Sequence, residues 1–286
     1  MTALHLRRAG MALAAILLLI WSLGPVYWAL ATSLMKPTDI AASPVNLVPP
    51  SITFEHYAKL VGGLFGQPDE TGIWRDFLRA LGNSLVLAGG ATIATTAIAA
   101  IAAYAAVRLE FPGRNLVFYM IVATLAVPGY TVLIPLYRMM VGLGWVDTYG
   151  GIILIYISAY LPLSMWLMRS VYESLPLSIE EAAFLDGAGR LYTMVRIVMP
   201  LALPGLIAAA ILTFLGAWGQ FAVPLVFAPT AATKPLTVLI PEFATKNYVD
   251  YGLINAAGVF AMIPPALVVI FLNRFLLSGL MAGTGK

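Results

Sequence analysis

The sequence predicts an all-α, polytopic membrane protein with six transmembrane helices and one short helix in a cytoplasmic loop. Three observations carry that reading. Of 286 residues, 61% are hydrophobic and only 10% charged, with a mean hydropathy of +0.91. A soluble domain carries about 25% charged residues because its surface must face water. Six apolar runs reach the ~20 residues that crossing a ~30 Å hydrocarbon layer requires. One long polar stretch between the fourth and fifth runs has the marks of a helix start and stop.

The runs cover about residues 11–34, 83–107, 115–136, 148–167, 202–227 and 253–272. Each is too long and too uniformly apolar for the half-buried helix of a soluble domain. The whole chain, 1–286, therefore reads as one transmembrane domain. The first run has a second reading as a signal peptide, with Arg7 and Arg8 as its basic start and Ala29-Leu30-Ala31 as a small-residue cleavage pattern. Tyr27 and Trp28 fit better as an interfacial belt on an uncleaved helix. The outer segment 35–82 mixes Pro37, Pro44, Pro49, Pro50 and Pro68 with Trp74 and Phe77, a composition that suits an ordered extracytoplasmic cap. His5 and His56 fall outside the runs and read as solvated surface residues.

The second run is rich in small residues, among them Ala88, Gly89, Gly90, Ala91, Ala94 and Ala97. Such residues let helix backbones approach closely in lipid, and packing within the chain is the favoured reading. Pro25, Pro128, Pro162, Pro204, Pro224 and Pro264 sit within runs and predict kinks, which membranes tolerate when neighbours satisfy the freed carbonyl.

Basic residues set the orientation. With the N-terminus inside, Arg7, Arg8, Arg108, Arg114, Arg169, Arg190, Arg196, Arg274 and Lys286 fall on the cytoplasmic side. Lys36, Lys59, Arg75, Arg79, Arg138, Lys234 and Lys246 fall on the outer side, where the segments are longer and the basic density lower. Both termini are placed in the cytoplasm of a bacterial-type inner membrane.

No Asp, Glu, Lys, Arg or His lies inside any apolar run. Proton-coupled and voltage-sensing proteins keep such residues because they need them, at a cost of at least ~2.5–3.5 kcal/mol each. The absence argues against a symporter, a self-contained pump and an intramembrane hydrolase. There is no Cys, which removes thiolate chemistry, and no phosphate-binding glycine loop ending in Lys-Ser or Lys-Thr. The chain is expected to be no enzyme and to hold no cofactor or metal. Its small, dispersed net charge of +3 gives no nucleic-acid surface. Any energy source would lie in another subunit or in the gradient of the solute.

The loop 168–201 carries the functional signal. Ser178 and Glu181 have the spacing of a capping box, and Gly187 or Gly189 supplies the left-handed residue that ends a helix. The spacing predicts a helix of about two turns, with Ile179, Ala182 and Ala183 on one face at i, i+3, i+4. Physics alone leaves a plain surface helix and a docking helix open.

Glu181-Ala182-Ala183, three residues, Gly187, nine residues, Ile197, one residue and Met199-Pro200 resemble the "EAA" loop of ABC importer permeases. Met199, where that loop has Leu, is the one departure. Asn83-Ser84, the stretch from Arg108 to Arg114, Ile134-Pro135-Leu136-Tyr137 and Gly279-Leu280-Met281-Ala282-Gly283 resemble the sugar-import branch, in particular the second, six-span permease of maltose-type systems. The resemblance implies a coupling helix seated on a separate ATPase, with Glu180, Glu181, Ala182, Ala183, Asp186, Gly187, Ile197 and Pro200 forming the dock. It implies alternating access, a second homologous permease, two ATP-binding subunits carrying ATP and Mg, and an extracytoplasmic solute-binding protein. Glu180, Glu181 and Asp186 are expected to meet basic groups of the ATPase.

Trp218, Gln220 and Phe221 combine a stacking surface with an amide that suits a polyhydroxylated solute, and Asn255 is a weaker pathway candidate. The branch usually has Trp-Asn-Glu-Phe where this chain has Trp218-Gly219-Gln220-Phe221. Two alternatives stay open: an ABC permease for a non-sugar solute, and a self-contained facilitator or channel.

Overall fold

A computed structural model describes residues 2–66, 72–244 and 249–282, with side chains except those of 2–4, 6, 9 and 273–282. Pro68, Lys246, Gly283 and Lys286, and the side chain of Arg274, lie outside this description. Among the described residues the regular elements are helices, with one isolated bridge between Ala244 and Val249. In chain order they are α1 (Thr2–Ser33), α2 (Pro37–Ile40), α3 (Glu55–Val61), α4 (Ile73–Arg108), α5 (Arg114–Ala123), α6 (Leu133–Gly142) and α7 (Tyr149–Ser174). There follow α8 (Ser178–Leu185), α9 (Arg190–Thr193), a π-helical stretch Met194–Val198, α10 (Met199–Leu201), α11 (Leu203–Trp218), α12 (Ala222–Phe227), α13 (Leu236–Glu242) and α14 (Tyr251–Ala282).

Among the described residues, four helices are single elements long and apolar enough to cross a membrane: Gly10–Ser33, Ile73–Arg108, Tyr149–Ser174 and Tyr251–Leu272. The count reaches six if two bent pairs each make one span, and these pairs correct the predicted third and fifth runs. Arg114–Ala126 and Gly129–Gly142 meet at 94°, so residues 115–136 do not form one straight helix. The cause is Pro128, which has no backbone N–H and holds the preceding Val127 extended at ψ 122°. Arg190–Leu201 and Leu203–Trp218 meet at 76° across Ala202, between Pro200 and Pro204. Residues 202–227 are divided again at 219–221, where α11 ends before α12 begins. Pro25, Pro162, Pro264 and Pro265 instead sit inside uninterrupted helices.

The residue contacts divide the chain into two units. Residues 1–78 and 239–263 form the first. Here α1 keeps its apolar residues exposed from Met11 to Leu30, the state of a helix whose sides meet lipid or another subunit. The segment after it is ordered by short helices and side-chain bonds. Ser51 Oγ donates to Asp39 Oδ2 at 2.8 Å, and the Tyr27 hydroxyl donates to the Leu47 carbonyl at 2.8 Å. The Lys59 ammonium beside Glu55 holds its carboxyl below the ordinary value. His56 is a correction: it is 0% exposed, not solvated. Its Nε2 lies 3.0 Å from the Met35 carbonyl and its Nδ1 lies 3.6 Å from Asp250. Gly252 leaves it room, since a β-carbon there would fall 2.1 Å from His56 Nε2.

Residues 79–238 and 264–286 form the second unit. Its core gathers Ala99, Ala103 and Tyr104 of α4, Met165, Met168 and Tyr172 of α7, and Ala209 of α11. The small residues of α4 serve close packing within the chain: Gly90 faces Ile153 so tightly that a β-carbon would fall 2.7 Å from its Cδ1. In lipid such contact area, rather than solvent exclusion, holds helices together.

Candidate functional site

The loop 168–201 is built on the end of α7. That helix does not stop at residue 167 with the apolar run but continues to Ser174, its polar last turns supported by the Arg169 to Glu173 pair at 2.7 Å. Leu175 is extended and Pro176 follows, so the helix cannot continue. The N-cap of α8 is then Leu177, one residue before the predicted Ser178, and it makes no side-chain cap bond. The predicted capping box is absent because the Glu181 amide donates to the Leu177 carbonyl at 3.1 Å, leaving nothing for the Ser178 hydroxyl to accept. Glu180 and Glu181 in the first turn face the positive end of the helix dipole.

The predicted stop is at Gly187. Its φ is +85°, and its amide donates to Phe184 O at 3.1 Å while that of Ala188 donates to Ala183 O at 2.9 Å. That pair of bonds is a Schellman motif, which closes the last carbonyls of a helix and asks for glycine at the left-handed position.

α8 has two faces, and they differ from the predicted one. Glu180, 3% exposed, and Ala183 turn inward. Ile179 is half-buried. Ser178, Glu181, Ala182 and Leu185 are exposed at i, i+3, i+4, i+7 spacing, with Leu185 at 89%. An acidic side chain, a small one and a bare Leu thus share a stripe that no described residue covers. A recess of about 540 Å³ opens beside it, lined by Ala183, Asp186, Gly187, Ala188, Gly189, Tyr192 and Ile197. Of the eight expected docking residues, this recess brings together Ala183, Asp186, Gly187 and Ile197. Glu181 and Ala182 lie on the stripe, and Pro200 is exposed in α10, two residues before the 76° bend at Ala202.

Glu180 departs from the expected role. Its carboxylate is engaged within the chain: Oε2 accepts from the Tyr104 hydroxyl at 2.7 Å and Oε1 from Arg108 Nε at 2.5 Å. Arg108 also donates to the Leu175 carbonyl at 2.9 Å. Sequence reasoning missed Tyr104, Arg108 and Tyr192. For Arg108 a signal existed, since a basic residue directly after an apolar run needs a partner or water.

The pathway candidates divide. Trp218, 8% exposed, stacks on Phe214 with centroids 5.6 Å apart and serves packing. Gln220 and Phe221 stand in the break between α11 and α12, where Gln220 Oε1 accepts the Phe221 amide at 3.1 Å and the Gln220 carbonyl accepts Thr237 Oγ1 at 2.8 Å. Phe221 is exposed, and Tyr160, packed on Gly216, is hydrogen-bonded to the Gln220 side chain. Non-helical backbone at membrane depth is tolerated only when buried in protein or lining a watery cavity, which sets this break apart. Asn255 belongs to the other unit and donates to its own helix at Tyr251 O, 2.8 Å away. Among the described residues no group of three His, Asp or Glu side chains is placed to hold a metal.

Residues 95–281 match the family described as binding-protein-dependent transport system inner membrane component. The chain is 31% identical over 282 residues to the trehalose/maltose transport system permease protein MalG of Thermococcus litoralis, covering 98% of each. It is 33% identical to the diacetylchitobiose uptake system permease protein NgcG of Streptomyces coelicolor, covering 94% of this chain and 86% of that one. Its fold matches a chain of a bacterial ABC transporter involved in the import of the acidic polysaccharide alginate, with a TM-score of 0.78 at 22% identity over 94% of this chain and 96% of that one. Matched through α8, its recess and most of its membrane helices, the chain belongs to the family of binding-protein-dependent transport system inner membrane components.

Proposed function

We propose that this chain is the permease subunit of an ATP-driven importer and forms half of the translocation pathway for a sugar or sugar-like solute. The observation that carries this is the uncovered α8 stripe of Glu181, Ala182 and Leu185, beside the Asp186 to Ile197 recess, at the position of the coupling loop. Relatives named for trehalose/maltose and diacetylchitobiose transport, similar along nearly the whole chain, support the sugar class.

In this reading two ATP-binding subunits, which hold ATP and Mg, seat α8 and move it as they close on nucleotide. A second homologous permease completes the pathway, and an extracytoplasmic binding protein delivers the solute. Both termini lie in the cytoplasm. Glu181 and Asp186 present the charge to the ATPase, while Gln220 and Phe221 at the broken helix face the solute.

The test is recovery of the tagged chain from native membranes in mild detergent, with its companions identified by mass spectrometry. An ATP-binding subunit together with a second multi-span permease is the expected result. A homo-oligomer without a nucleotide-binding partner would overturn the importer in favour of a facilitator.

A further inference from the structure

We propose that Arg108 and Glu180, with Tyr104, are positioning residues for transport: they fasten α8 to the end of α4 so that both move as one body. This inference rests on the importer reading above.

Glu180 meets two side chains of α4 that lie 76 and 72 residues earlier in the chain, in a mostly buried site. Glu180 stands in the first turn of α8, on the face opposite the exposed stripe. Arg108 is the last residue of α4 and is mostly buried, at 12% side-chain exposure. Its guanidinium donates to Glu180 through Nε and to the Leu175 carbonyl, at the end of α7, through Nη2. Tyr104, one turn earlier on α4, donates to the second carboxylate oxygen and packs edge-on against Tyr172 of α7.

A buried charge is retained only if paired and hydrogen-bonded, and here both oxygens of Glu180 have donors on α4. The bonds to α8 from α4 are therefore directional and costly to stretch. The covalent link from α7 to α8 through residues 175–177 is short, but Leu175 is extended and could swing without the tie. With the tie in place, a push on α8 is delivered to the end of a 36-residue helix, α4.

Spin labels on a chain that contains no cysteine of its own read this directly. One label replaces Ile101, exposed on α4, and the other replaces Phe184, exposed on α8 away from the docking stripe. The distance between them is measured by electron–electron resonance in the purified complex, with and without ATP and Mg. In the otherwise wild-type complex the separation stays narrow and unchanged on adding nucleotide. In Glu180→Gln and Arg108→Met it shifts or broadens with nucleotide, because α8 moves and α4 no longer follows. Both residues act as one unit, so the double variant goes no further than either single one.

A nucleotide-dependent separation in the wild type, or an unchanged narrow one in both variants, would overturn the tie. If either variant fails to assemble, Tyr104→Phe keeps the ion pair and removes one bond, and it is expected to broaden the separation with nucleotide; an unbroadened separation sinks the proposal. Absence of any ATP-binding partner in the purified sample would count against the importer reading alone. The width of the resting distance distribution would then still test the tie.

Discussion

Gly205 of α11 stands directly on Val171 of α7: a β-carbon at Gly205 would fall 2.4 Å from one Val171 methyl and 3.0 Å from the other. Both groups are buried, so no flexible end can move aside. Gly205→Ala is expected to destabilise the chain by about 1–3 kcal/mol, the usual range for overpacking a core. Val171→Ala in the same chain should return part of that loss by removing both clashing methyls. The midpoint of thermal unfolding in detergent checks it, and a double variant no more stable than Gly205→Ala would contradict the close-packing account of this helix pair.

Gly187 tests the end of α8 without altering the exposed stripe of Glu181, Ala182 and Leu185. Nothing lies within 4 Å of a β-carbon built there, so Gly187→Ala changes only the backbone preference at φ +85°. The expected cost is about 1 kcal/mol, less for Gly187→Asn, which tolerates the left-handed region better. Loosening should show as faster proteolysis within residues 185–190 of the Ala variant, with cleavage elsewhere unchanged. Equal protection of the two variants would mean that the Schellman bonds do not hold this end.

The exposed stripe makes a separate prediction. Glu181 and Ala182 make no side-chain bond that the fold needs, so Glu181→Lys and Ala182→Leu should leave thermal stability within about 0.5 kcal/mol of the original. Both should weaken recovery of the ATP-binding partner or uncouple hydrolysis from uptake, the first by charge and the second by bulk. Undiminished uptake in Glu181→Lys would remove the charge from the docking account. Glu180→Lys, by contrast, should damage the fold itself, because that position is buried between Tyr104 and Arg108.

Much of this was legible in the sequence, and the misses have physical causes. Apolar length locates the membrane helices but not their ends: α4 starts at Ile73 rather than 83, because Arg75, Asp76 and Arg79 extend it as a polar-faced helix. The 94° bend follows from Pro128, yet Pro25 and Pro162 bend no helix into two, and local sequence does not distinguish these cases. The Gly187 stop was readable because it depends on one residue's backbone. The Ser178 cap was misread because a helix that starts one residue earlier takes the same donor. The sequence reads Glu180 as a charge offered to a partner and His56 as solvated because the groups they meet within the chain, Arg108 and Met35, lie 72 and 21 residues away. Burial of a polar side chain is a tertiary fact that spacing alone does not carry.

Asp147 gives the sharpest test of the second unit's far loop. It holds φ +59°, donates its amide to Phe227 O at 2.9 Å, and accepts Thr233 Oγ1 at 2.6 Å on one oxygen and Thr230 Oγ1 on the other. Asn83 secures the same loop, donating to the carbonyls of Ala231 and Lys234 at 3.2 and 2.9 Å, with the Tyr149 hydroxyl donating to its own Oδ1 at 2.6 Å. Asp147→Asn keeps the left-handed backbone but leaves only one oxygen for two hydroxyl donors, so it should cost about 1.5–3 kcal/mol, the value of one hydrogen bond to a charged group. Asp147→Ala also loses the conformational tolerance and should cost more. Hydrogen exchange over residues 228–235 is the measurement, with faster exchange expected in the order Ala, Asn, wild type. Because Asn83 still grips the loop from α4, neither change should speed exchange in α11. Equal acceleration across α11 would show that the Asp147 bonds support the whole unit rather than this loop.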